Sequence, residues 1–109
     1  VATLLNQASA VQTTGGVSPD LSTQGITTLE VNVDVTAVVS VSLTLFVEGK
    51  AADGNWYPLW SSSAIVAAGE TSTSIGPGTA TEVVLTGTIR FRWALTGTSA
   101  TFSASIEGR

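Results

Sequence analysis

Leu29-Glu30-Val31-Asn32-Val33-Asp34-Val35-Thr36 is the stretch that decides the fold. Apolar and polar side chains alternate through it without a break. Successive strand residues point to opposite faces, so this is a strand with one buried and one wet face. The next stretch repeats the pattern. Val39, Val41, Leu43, Leu45 and Val47 form an inward set against Ser40, Ser42, Thr44 and Glu48, and Phe46 sits among the polar residues. Gly49 to Asn55 turns the chain, with Asp53-Gly54 suited to the positive φ angles of a tight hairpin. Further on, Ile89, Phe91, Trp93 and Leu95 alternate with Arg90, Arg92 and Ala94. After a turn at Thr96-Gly97-Thr98, Phe102, Ala104 and Ile106 make the last strand; Ile106 continues the alternation, so Ile106-Glu107-Gly108-Arg109 reads as strand and not as a protease tag.

Between these segments the signal is weaker. Trp56 to Trp60 is a short aromatic strand that Pro58 confines to an edge or a bulge. Ala64 to Val66, Thr71 to Ile75 and Glu82 to Leu85 read as further short strands, with a firm break at Gly76-Pro77-Gly78. No segment carries the i, i+3, i+4 spacing of an amphipathic helix. Many short strands punctuated by Gly, Ser and Thr predict an all-β fold, an antiparallel β-sandwich or jelly roll, spanning residues 26–109. Residues 1–25 are rich in Thr, Ser, Gln and Gly. Their few apolar side chains, Leu4, Leu5 and Val11, lack clean periodicity. They predict an extended N-terminal arm with at most one edge strand, able to order on a partner.

Composition narrows the function. The chain has 109 residues, no histidine, cysteine or methionine, and only 11% charged residues against roughly 25% in an average soluble domain. Mean hydropathy is nevertheless +0.38. The usual proton shuttle, thiol nucleophile and imidazole ligand are missing, so neither catalysis, a metal nor a cofactor is expected. A net charge of −4 argues against direct nucleic-acid binding. The apolar runs fall far short of the ~20 residues of a spanning helix, so no membrane partner is expected. Val1 to Gln12 lacks the basic and apolar regions of a secretory signal.

The carboxylates suggest no reaction. Glu30 and Asp34, four residues apart on one strand face, stand roughly 13 Å apart at ~3.3 Å per residue. Paired glycosidase carboxylates need ~5 to 9.5 Å. Asp53-Gly54-Asn55 lacks the spaced ligands and closing Glu of a calcium loop. With no histidine to act as base, a serine nucleophile would have to rely on Lys50, which falls in a turn.

Interaction residues are easier to nominate. Trp56 and Trp60 fall on one face of their strand and Tyr57 and Leu59 on the other, unless a bulge at Pro58 resets the alternation. Either one pair faces outward, to stack a sugar or anchor an interface, or both faces are covered within the fold. Arg90 and Arg92 share a face opposite the core aromatics Phe91 and Trp93. They either pair with neighbouring carboxylates or anchor an acidic partner subunit. With Leu4, Leu5, Val11 and Phe46, these residues form the candidate interface.

Six pieces in order also carry a resemblance: Leu29 to Val38, Leu43 to Gly49, Asp53 to Leu59, Ala67 to Thr71, Ile75 to Gly78, and Ile89 to Ser103. Together they resemble the small β-sandwich structural proteins of tailed bacteriophage virions over about three quarters of the chain, leaving the N-terminal segment outside the match. The resemblance implies a non-enzymatic virion protein, either a head decoration (cement) protein or a neck or tail component. It further implies a location on the capsid surface after synthesis in the host bacterium, and contacts with the major capsid protein and with other copies of itself. The resemblance also implies a homotrimer, in which closed symmetry reuses one patch on every copy. A carbohydrate-binding module built on Trp56, Tyr57 and Trp60 is the alternative from a different class.

Overall fold

A computed structural model describes residues 2–39, 42–79 and 81–109. Ser40 and Val41, part of the second predicted alternation, lie outside the described residues. The strands are β1 (Ala2–Gln12), β2 (Gly16–Val17), β3 (Leu21–Ser22), β4 (Leu29–Val39), β5 (Ser42–Lys50), β6 (Trp56–Ser61), β7 (Gly69–Ile75), β8 (Thr88–Thr96) and β9 (Ser99–Gly108). No helix occurs among the described residues.

Two antiparallel sheets face each other. The first runs β1-β9-β4-β7; the second runs β2-β8-β5-β6, with β3 also on β8. Taking β2 and β3 as one interrupted strand, the partners nest: β5 with β6, β4 with β7, β2/β3 with β8, β1 with β9. That nesting is a long hairpin rolled so that alternate strand pairs fall in opposite sheets, the order of a jelly roll. The predicted fold class is therefore the observed one.

The alternating residues fill the space between the sheets. Leu29, Val31, Val33 and Val35 from β4 meet Leu43, Leu45 and Val47 from β5, Ile89, Phe91 and Trp93 from β8, and Phe102, Ala104 and Ile106 from β9. Each such large side chain contributes about 1.5–3 kcal/mol on burial. The rings of Phe91, Trp93 and Phe102 meet at centroid distances of 5.6–6.4 Å, two of the three pairs edge to face. The Trp93 indole N–H donates to the Thr14 carbonyl at 3.1 Å, so burial leaves no polar atom of the ring unpaired.

The segment predicted as an arm is woven into the sheets over residues 2–22. β1 hydrogen-bonds along β9, β2 and β3 line β8, and Ser18, Leu21 and Thr23 are buried. The Ser18 hydroxyl accepts from the Phe91 amide, and the Thr23 hydroxyl donates to the Thr86 carbonyl. Gly16 lies flat on the indole of Trp93, where a β-carbon would overlap the ring.

Three other expectations change. Ala64 to Val66 is not a strand; Ile65 alone bridges to Leu43. Glu82 to Leu85 is irregular, although Val83 and Leu85 still lean on the core. Val39 is half exposed where the alternation placed it inside. The cause is a bulge: β9 pairs with Val35 and then Ala37, so Thr36 is skipped, Val38 turns inward and Val39 outward.

Candidate functional site

The organised polar feature of the molecule lies on the outer face of the second sheet. Residues of β5 and β8 with the parity opposite to the core point outward there: Thr44, Phe46, Glu48 and Lys50 from one strand, Arg90, Arg92 and Ala94 from the other. Register sets Glu48 beside Arg90 and Phe46 beside Arg92. Pro58 and Trp56 of β6 lie opposite Glu48 and Lys50.

Glu48 is the hub. Its side chain is 8% exposed, and its two carboxylate oxygens take one arginine each, Arg90 Nε at 2.8 Å and Arg92 Nε at 3.1 Å. Both contacts run through Nε. Arg90 stacks over the Trp56 ring at 4.3 Å, with Lys50 Nζ 5.8 Å from the same ring. Arg92 lies over the Phe46 ring at 3.9 Å. Each guanidinium is thus held at its edge by a carboxylate and on its face by an aromatic ring, an arrangement that a lysine could not reproduce. Three of the chain's four basic side chains sit on this face against one carboxylate. Phe46 breaks the apolar-inward pattern of β5 because it is the platform for Arg92.

The nominated residues separate into groups. Phe46, Trp56, Arg90 and Arg92 come together. Trp60 does not join them. Val47 pairs with Trp60 and Glu48 with Pro58, so Leu59 is the extra residue of a bulge, and both Leu59 and Trp60 pack against the core. Trp56 and Trp60 therefore fall on opposite faces of β6: a bulge does reset the alternation, at Leu59 beside Pro58. Tyr57 is half exposed and donates its hydroxyl to Asp53 Oδ2 at 2.9 Å. Asp53 Oδ1 accepts the Asn55 amide at 2.9 Å. That amide first, and the Tyr57 hydroxyl second, hold the Asp53 carboxyl below the usual aspartate value. Leu4 and Leu5 are half buried against the core, while Val11 is exposed near the end of β1. Arg90 and Arg92 both pair with Glu48 within the chain. Glu48 and Lys50 were missed as members of the site, although their i+2 and i+4 spacing from Phe46 was the available signal.

The opposite outer face, on the first sheet, differs in character. A shallow groove of about 330 Å³ runs between Asn6, Asn32, Asp34, Glu70, Ser72 and Ser103. Ser72 donates to the Asn32 side chain at 2.7 Å. No group of three or more acidic side chains among the described residues is arranged to hold a metal ion.

No protein-family model matches this sequence, and no curated protein is similar to it. The site must be read from its own geometry. What that geometry offers is two delocalised cations with fixed positions and partly desolvated surroundings. Such a face suits contact with carboxylates on another protein.

Proposed function

We propose that this chain is a non-enzymatic structural protein of a bacteriophage virion, a capsid decoration protein that binds the shell and stabilises it. The observation that carries the proposal is the Arg90–Glu48–Arg92 cluster, clamped between Trp56 and Phe46, on a chain that is otherwise acidic. Arginines and aromatics fixed before contact lose little side-chain freedom on binding, which favours a protein interface. The ordered pieces that resemble phage virion β-sandwiches add support. So does the strand nesting, since jelly rolls serve as viral capsid domains and also as lectins, although this is an analogy of fold.

The lectin side of that analogy fits less well. A sugar platform needs neighbouring open rings, but Trp56 and Trp60 are divided between two faces and Trp56 lies under Arg90. A neck or tail component would use the same face, and localisation separates it from a head protein.

The test is attachment to capsids that lack the protein, followed by co-sedimentation and a density map. Wild-type protein attaches on the capsid surface, and Arg90→Ala/Arg92→Ala, once shown to be folded, loses attachment at least about tenfold, as expected for truncating charged anchors at an interface. Failure of wild-type protein to attach refutes the proposal, as does glycan binding that Trp56→Ala abolishes.

A further inference from the structure

The outer face of the first sheet carries charges in an arrangement that the fold itself does not favour. Asp34 pairs directly across from Glu70, and Glu30 directly across from Glu107. Like charges placed opposite each other destabilise a sheet. Arg109 relieves the second pair through a 2.6 Å contact with Glu30. No described lysine or arginine reaches Asp34 or Glu70. Four carboxylates against one arginine make this face acidic, whereas the opposite outer face holds three cations against one carboxylate. The chain is polarised across its own sandwich.

We infer that the cationic–aromatic face of the second sheet docks on the acidic groove of the first sheet in a second copy of this chain. The guanidiniums of Arg90 and Arg92 and the ammonium of Lys50 then neutralise Asp34 and Glu70 of the next copy. Short Ser and Asn side chains line much of the groove, and the rings of Trp56 and Phe46 back the two guanidiniums that enter it. Size permits it. The molecule measures 38 × 28 × 22 Å, giving a broad face of roughly 1,000 Å², and a stable interface needs ~800 Å² from each partner. The contact joins two different surfaces, so it is heterologous, and copies related this way close into a ring or run on as a stack. This inference rests on the reading of the chain as an assembling structural protein, and it adds a second copy as a partner of the same face, which stays free for the shell on the end copy of a stack.

Sedimentation of the full chain without any capsid tests it. Wild-type protein self-associates, and raising salt from about 0.05 to 0.5 M weakens the association, because the contact depends on charge. Asp34→Asn/Glu70→Gln blocks one surface and Lys50→Glu/Arg92→Gln the other; the latter keeps the Glu48–Arg90 pair, and Lys50→Glu alone serves if it unfolds. Each variant associates at least about tenfold more weakly than wild type, the loss expected for close interfacial charge pairs. Mixed one to one, the two variants recover association as a capped pair, since each supplies the surface the other lacks. A purely structural role for the carboxylates predicts no such recovery, and Asp34→Asn/Glu70→Gln also melts no lower than wild type because a repulsion is removed.

Wild-type protein that stays single at about 100 µM, far above the Kd of a standard interface, overturns the inference. So do variants that associate like wild type, or a mixture that fails to recover. A single chain that nevertheless attaches to capsids refutes self-docking alone and leaves the proposed function standing. A self-associating chain that never attaches does the reverse.

Discussion

Glu48→Gln is the sharpest test of how the cationic face is held together. The substitution keeps the size of the side chain but removes the charge that two arginines share. Glu48 is almost fully covered, whereas Arg90 and Arg92 keep 23% and 32% of their side-chain surface in contact with solvent. Breaking a fully buried pair costs about 3–5 kcal/mol, and exposed pairs contribute only about 0–1 kcal/mol. With one partner buried and two partly wet, the expected loss is about 2 kcal/mol: the amide keeps one acceptor oxygen for one arginine and turns its NH2 donor toward the other. The two guanidiniums, two residues apart on β8 and so roughly 7 Å apart at their backbone, also repel once the carboxylate is gone. At about 4–5 °C per kcal/mol for a domain near 100 residues, Tm falls by roughly 8–10 °C. Thermal melts of wild type, Glu48→Gln, Arg90→Ala and the double variant measure the effect, and the cycle should give a coupling of at least about 1 kcal/mol. A melting point within about 2 °C of wild type, or a coupling below about 0.5 kcal/mol, refutes the view that the carboxylate organises the face.

Three further outcomes follow from the packing. Gly16→Ala drives a β-carbon into the Trp93 indole, so it destabilises by about 1–3 kcal/mol as an overpacked core does; denaturant unfolding with an unchanged m-value and lowered midpoint checks it. Deleting residues 1–25 removes Leu21 from the core and strips β9 of its β1 partner, so the remainder loses cooperative unfolding instead of surviving as an intact sandwich; loss of a sharp thermal transition is the readout. Asp53 has a lowered folded-state pKa. Its stabilising contribution is therefore present above the ordinary aspartate value and is lost as pH falls through the lowered folded value. Asp53→Asn removes that part of the acid dependence, which is seen by comparing acid unfolding curves of the two proteins.

Strands that cross the middle of a sheet were legible because burial writes period two into their sequence. Leu29 to Val35, Leu43 to Val47, Ile89 to Trp93 and Phe102 to Ile106 each have one face on the core, and all were readable as such. The segment 2–22 was not, for a physical reason. β1 lies at a sheet edge with bulges between Thr3 and Leu5 and between Gln7 and Ala10, and each bulge resets which side chains face inward. β2 and β3 are two residues each, too short to show any period. Bulges also explain the misread positions elsewhere: one skipped residue at Thr36 exposes Val39, and one at Leu59 parts Trp60 from Trp56.

The candidate site was half legible for a related reason. Parity along one strand placed Arg90 with Arg92, and Phe46 with Glu48, but only the register between β5 and β8 sets the two pairs face to face. Register is a property of two strands and leaves no mark in either alone. Phe46 was nevertheless a clue. A large ring on the wet face of a strand loses hydrophobic burial, and the arginine stacked on it shows what offsets that loss. The same reasoning applies to Asp34 and Glu70, whose opposition across two strands contributes nothing favourable within one chain. Residues that violate the local preference of their element, with no compensating partner among the described residues, are where the proposed docking surfaces are to be tested first.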